Sequence, residues 1–183
     1  MMNALSNLTP RGRTAALAAL MTAAGVALTL GFACALPFAA FAAMAALLFS
    51  PVAAAGAILA VWAANQIVGF ACLGYPADAG TFAWGAGLGV IALLSLAASG
   101  AVLARARGVA GIGASFLAAF VVYEGAVFLA CFASGTCGGA FAPDSVARVF
   151  LINAATFGVF LAVRALALRS GRVASKAHAL RHA

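Results

Sequence analysis

The chain has 183 residues, of which 67% are hydrophobic and only 7% charged, and its net charge is +7. Soluble globular domains carry roughly 45–50% apolar and about 25% charged residues, so this is not a soluble enzyme, a disordered tail or a nucleic-acid module. No charged residue occurs in the 64 positions between Arg13 and Asp78. As helix that stretch covers about 96 Å, or roughly three hydrocarbon thicknesses. The composition therefore defines an all-α integral membrane protein whose first partner is the lipid bilayer.

In chain order, a polar start carrying Arg11 and Arg13 meets a run of Ala and Leu. Ala33-Cys34-Ala35 resembles a signal-peptide cleavage site; the segment is read here as a first membrane helix, residues 14–33. Further helices are predicted over 36–49, 51–73, 81–104, 109–132 and 145–168. A basic tail, 169–183, follows with His178 and His182. Residues 1–183 form one membrane domain. Pro37, Pro51, Pro76 and Pro143 each fall at a predicted boundary, where a missing N–H is tolerated. The second helix, about 14 residues, is short for a span, but charge parity supports it. Basic clusters stand at Arg11/Arg13, at Arg105/Arg107 and along the tail. Positive residues stay cytoplasmic, so an even number of spans must separate the clusters. Six transmembrane helices with both termini cytoplasmic satisfy this.

The loops around 74–80 and 133–144 then face outward, and both are rich in glycine. Few polar groups lie inside the spans, so each is informative. Asn65 and Gln66, Tyr123 and Glu124, and Asn153 fall in three helices, about 12 Å below the outer surface. One polar layer beneath outward loops suits the floor of a cup. Alternatively the amides only hydrogen-bond the helices together. A lone Glu124 at that depth is costly and demands a partner, a proton or a cavity; Arg148 is the nearest candidate partner.

All four cysteines, Cys34, Cys72, Cys131 and Cys137, fall on the expected outer side, the side that oxidises thiols. Cys131 and Cys137, six apart across a glycine-rich turn, can form a disulfide; alternatively small buried cysteines pack like alanine. Cys72 stands seven residues after Asn65, so both project from one helix face. A soft thiolate there suits a transition metal, including one inside a cofactor. Asp144 before Ser145 fits a helix N-cap, and Asp78 is read either as a ligand contact or as a cap.

Six short helices, both termini inside and long outward loops resemble the substrate-binding (S) components of energy-coupling-factor vitamin transporters. Within that group, Asn65-Gln66 through Tyr75-Pro76 to Trp84-Gly85 resembles the BtuM family of vitamin B12 transporters. That resemblance implies cobalamin as transported ligand, Cys72 as ligand to its cobalt, and thiol-mediated removal of its upper axial ligand. It implies contacts from Asn65, Gln66, Tyr75, Asp78, Trp84, Tyr123, Glu124, Phe141 and Asn153, and no further cofactor. Phe70, Phe82 and Phe132 supply apolar walls, although aromatic residues near a membrane surface also serve as interface anchors. The implied location is the bacterial inner membrane. BtuM-like proteins are solitary and work without an ATPase module, whereas other S components dock on one through small residues at the positions that Ala15, Ala19 and Ala23 match; both alternatives stay open for this chain. Two readings from other classes stand beside this one. A quinone-linked membrane thiol oxidoreductase is suggested by the outward cysteines but lacks the C-x-x-C pair. A non-catalytic accessory subunit of a membrane complex accounts for the alanine-rich composition.

Overall fold

A computed structural model describes residues 9–32, 36–135 and 141–179. They form six helices: α1 (Pro10–Phe32), α2 (Phe38–Leu48), α3 (Pro51–Cys72), α4 (Ala79–Leu103), α5 (Gly108–Ser134) and α6 (Pro143–Ala179). Five of these are long and apolar enough to cross a bilayer; α2 is not. The expectation of six full spans is corrected here, because the 11 residues of α2 reach only about 16 Å. The helix starts follow the prolines: Pro10, Pro51 and Pro143 open α1, α3 and α6, and Pro37 precedes α2. The helix α6 runs well past the predicted end at 168, so the basic tail is helical through Ala179.

The side-chain pairings set the direction of every helix. On α1 and α3, Gly25 meets Val61 and Thr29 meets Asn65. Both numbers rise together, so α1 and α3 are parallel. Phe70 stacks on Phe82, and Trp62 lies against Gly85 and Gly89, so α4 runs antiparallel to α3. Phe116 meets Phe157 and Phe120 meets Phe150, so α6 runs antiparallel to α5. It follows that Arg11 and Arg13, the Arg105/Arg107 loop, and Arg164 and Arg169 share one end of the bundle, called here the Arg105 end. Tyr75, Asp78 and Asp144 stand at the opposite, Tyr75 end.

The short helix α2 is the centre of the molecule. It touches α3, α4, α5 and α6, and every residue from Phe38 to Ala45 is buried. Its sequence, FAAFAAMAALL, explains the fit. The alanines let neighbouring backbones approach closely, the usual basis of helix association in lipid. Phe38, Phe41 and Met44 fill the remaining space, with Phe41 edge-on to Phe160 at 5.2 Å. A helix that begins inside a bundle must satisfy its first N–H groups without water. Here Phe38 N–H donates to Leu36 O, Phe41 N–H to Pro37 O, and Ala40 N–H to the Oδ1 of Asn153 on α6. The N-terminus of α2 lies level with Tyr123 and Asn153, and its C-terminus leads directly into α3. In the half of the bundle towards Tyr75, α2 therefore contributes no helix, and α1, α3, α4, α5 and α6 bound the centre.

Candidate functional site

The site is built on the last two turns of α3. Its buried face runs through Val61, Asn65, Val68 and Gly69, and Cys72 continues that register at the helix end. Cys72 is an exposed free thiol, seven residues and about two turns after the buried Asn65. Just beyond it, Gly74 adopts φ 68°, a backbone region that glycine enters without steric cost. The turn brings Tyr75 back over the helix. Tyr75 N–H donates to Gly69 O at 3.1 Å, and the Tyr75 ring lies where any side chain at Gly69 would sit. Phe70 is edge-on to Tyr75 at 6.0 Å and stacked on Phe82 at 4.9 Å. These three rings tie the 74–78 loop to the tops of α3 and α4. Trp84 is partly exposed, at 39%.

Asp78 is the N-cap of α4: its Oδ1 accepts the Thr81 N–H at 2.7 Å. The hydrogen bonds from the Thr81 N–H and hydroxyl hold its carboxyl below the usual carboxylate range. This is the cap role that sequence alone left open.

Beneath Cys72 lies a chain of hydrogen bonds across two helices. Gln66 Nε2 donates to Asn65 Oδ1 at 3.0 Å; Asn65 Nδ2 donates to Thr29 Oγ1 at 3.0 Å; the Thr29 hydroxyl donates to Gly25 O at 2.9 Å. Gly85 on α4 leaves the space that the Gln66 amide occupies, and Trp62 Nε1 donates to Gly85 O at 2.8 Å. Thr29 is the member that sequence reading missed. A threonine in an apolar run normally satisfies itself on its own i−4 carbonyl, so it gave no signal of being a partner as well.

The other expected residues are placed differently. Asn153 is fully buried, but its Oδ1 caps α2 and its Nδ2 donates to Val149 O. Both polar ends are thus structural, and no hydrogen bond links Asn153 to Asn65. Tyr123 is buried, its ring 6.3 Å from that of Phe38. Glu124 is half-buried on α5. The candidate Glu124–Arg148 ion pair is absent among the described residues, and Arg148 is exposed. Phe141 packs edge-on against Phe128 at 5.1 Å. Asp144 falls in the first turn of α6, not at its N-cap, because the helix already begins at Pro143. Cys131 is disulfide-bonded, in keeping with an oxidised cysteine at this end; its expected partner Cys137 lies outside the described residues, as do Cys34, Gly138, Gly139 and His182. Among the described residues no group of three or more His, Cys, Asp or Glu could hold a metal ion. The soft donor on offer at this end is Cys72.

No protein-family model, no curated protein and no solved structure matches this chain. The fold and composition define its class directly: a multi-pass helical membrane protein with five bilayer-length helices around one short central helix.

Proposed function

We propose that the protein is an uptake protein of the bacterial inner membrane that binds a vitamin, cobalamin, at the Tyr75 end. Cys72 supplies the ligand to the cobalt of the cargo. The observation that carries the reading is the position of Cys72. It is a free, exposed thiol two helical turns after the buried amide of Asn65, on the same helix end that carries the Phe70, Tyr75 and Phe82 ring cluster. A corrin ring needs that combination: a soft donor for the metal, apolar faces for the macrocycle, and amides for its polar rim. Asp78 and Asn153 already serve as caps. The reading therefore rests its contacts on Cys72, Gln66, Tyr75 and Trp84, with Asn65, Tyr123, Glu124 and Phe141 around them. Binding is a ligand exchange: a thiolate–cobalt bond forms, the cobalt–cyanide bond breaks, and cyanide leaves with both bonding electrons.

The orientation follows from charge. Positive residues remain cytoplasmic, so the Arg105 end, with the start of α1 and the end of α6, faces the cytoplasm and Tyr75 faces outward. Ala15, Ala19 and Ala23 are exposed on α1, so an ATPase module would find that face open, and a solitary carrier would leave it to lipid.

The test is an absorption spectrum of the detergent-purified protein after incubation with cyanocobalamin and gel filtration, beside a Cys72→Ala variant. Co-eluting corrin with a shifted band that vanishes in the variant is expected. Co-elution without a shift removes Cys72 from the mechanism. Absence of corrin from the protein peak overturns the cobalamin reading. A disulfide at Cys131 and a free thiol at the same end would then favour the thiol oxidoreductase, and thiol titration would follow.

A further inference from the structure

A second site lies at the opposite end and does not depend on the cobalamin reading. A groove of about 610 Å³ opens between the end of α2, the start of α3 and the end of α4, within the roughly 300–1,000 Å³ of ligand pockets. Its wall is apolar: Ala46 and Phe49 on one side, Pro51 below, and Leu96, Gly100 and Ala104 along α4. Along α4 and its C-cap the lining extends from Leu93 to Ala104, about 16 Å, which is half the roughly 30 Å hydrocarbon core. The groove thus has the length of one leaflet and ends where that leaflet meets its headgroups.

The mouth is cationic. Arg105 follows directly on Ala104, and Arg107 comes two residues later; both are exposed. The last turn of α4 tightens, so that Arg105 N–H bonds Val102 O. The freed Ala101 carbonyl is taken by Arg105 Nη1 at 3.0 Å. That bond holds the guanidinium against the turn whose neighbours Ala97, Gly100 and Ala104 line the groove. The start of α3 adds to the field. Ser50 makes no side-chain cap bond there, and Pro51, a groove residue, opens the helix at its positive dipole end. The chain has three acidic side chains, Asp78, Glu124 and Asp144, and none is at this end. Arg105 and Arg107 therefore have no aspartate or glutamate of their own chain to meet.

We infer that this groove binds an anionic phospholipid of the Arg105-side leaflet, one acyl chain lying along α4 and the phosphate accepting hydrogen bonds from Arg105 and Arg107. An apolar groove at this depth must be covered by something apolar, and its cationic mouth selects a negative headgroup. A basic residue near an anionic lipid surface contributes about a factor of five in binding, so the pair is worth about thirtyfold.

Native mass spectrometry of the detergent-purified full chain, titrated with phosphatidylglycerol or phosphatidylcholine, tests this. Phosphatidylglycerol is expected to bind tightly and phosphatidylcholine weakly. The double variant Arg105→Ala, Arg107→Ala should lose the preference by about thirtyfold, and Arg105→Lys with Arg107→Lys should recover most of it. Gly100→Leu should lower binding of both lipids, because a side chain at Gly100 enters open space with no atom of the protein within 4 Å of its Cβ. The alanine pair changes only exposed side chains, so it reports even if Gly100→Leu folds poorly. Equal binding of the two lipids, or an alanine pair that keeps the preference, overturns the inference. So does a dimer that Gly100→Leu dissociates, which would make the groove a contact between copies of the chain.

Discussion

Cys72 and Cys131 stand at the same end of the bundle in opposite chemical states, and this makes the site's redox character measurable. A maleimide applied to the folded protein without reductant should modify Cys72, the exposed free thiol, and leave Cys131 untouched. Peptide mass spectrometry reads both, and prior reduction followed by unfolding should add Cys131, which is buried in the folded protein. Labelling of Cys131 without reduction would contradict the disulfide. The amide chain below can be probed by Asn65→Leu. That variant deprives Thr29 and Gln66 of a buried partner, and about 1–2 kcal/mol of stability in detergent should be lost. Gly85→Ala should act from the other side, since a Cβ there displaces the Gln66 amide; a melting temperature unchanged by both variants would show that the chain of amides holds nothing. Asn65, Gln66 and Cys72 were legible in sequence because polar groups are scarce in an apolar span and seven residues is close to two helical turns. The role of Asn153 was not legible. The group it satisfies is a backbone N–H, at Ala40, 113 residues away, and no side-chain pattern announces a buried N–H.

The five long helices follow from uncharged runs bounded by proline, glycine and charge, and these were readable to within a few residues at most ends. The nature of α2 was not, because hydropathy registers apolar length and not location. FAAFAAMAALL is as apolar as a span, yet it is a buried half-length helix whose start lies inside the bundle. Its dependence on Asn153 is therefore the sharpest test of the fold. Asn153→Leu leaves Ala40 N–H without an acceptor in a place that water does not reach, and loss of about 1–2 kcal/mol is expected. Thermal unfolding in detergent measures it, and a neutral result would mean that α2 does not start where the structure puts it. At α4 the cap is charged and exposed, so its contribution depends on pH. Hydrogen bonds from Thr81 lower the carboxyl pKa of Asp78 in the folded state. The stabilisation is thus fully present above the ordinary carboxylate range and is lost as pH falls through the lowered folded value. Amide exchange at the start of α4 should speed up in acid in the natural protein. In Asp78→Asn, which keeps a capping oxygen without the titration, that acid-dependent rise should be absent.

Charge divides the whole molecule along its axis. Arg11, Arg13, Arg105, Arg107, Arg164 and Arg169 gather at one end, while Asp78 and Asp144 stand at the other, with Arg148 in the first turns of α6 as the exception. Such an arrangement requires α1 and α3 to run in the same direction, as the Gly25–Val61 and Thr29–Asn65 contacts show. The chain must then return between Phe32 and Pro51, and α2 makes about half of that return in about 16 Å of helix. Six helices bring the described basic clusters to one end, although one of the six is not a full span. Reporter fusions in a Gram-negative host test the consequence. Alkaline phosphatase is active only outside the cytoplasm, so it should be inactive when joined after Ser50, active after Ala77 and inactive after Arg107. Ser50 is the decisive junction. If residues 10–50 crossed the membrane only once, the reporter there would be active and every later junction would invert, placing Arg105 and Arg107 outside against the positive-inside tendency. Inactivity at Ser50 with activity at Ala77 would instead establish that a helix too short to span still reverses the chain, and that Cys72 opens to the outer face.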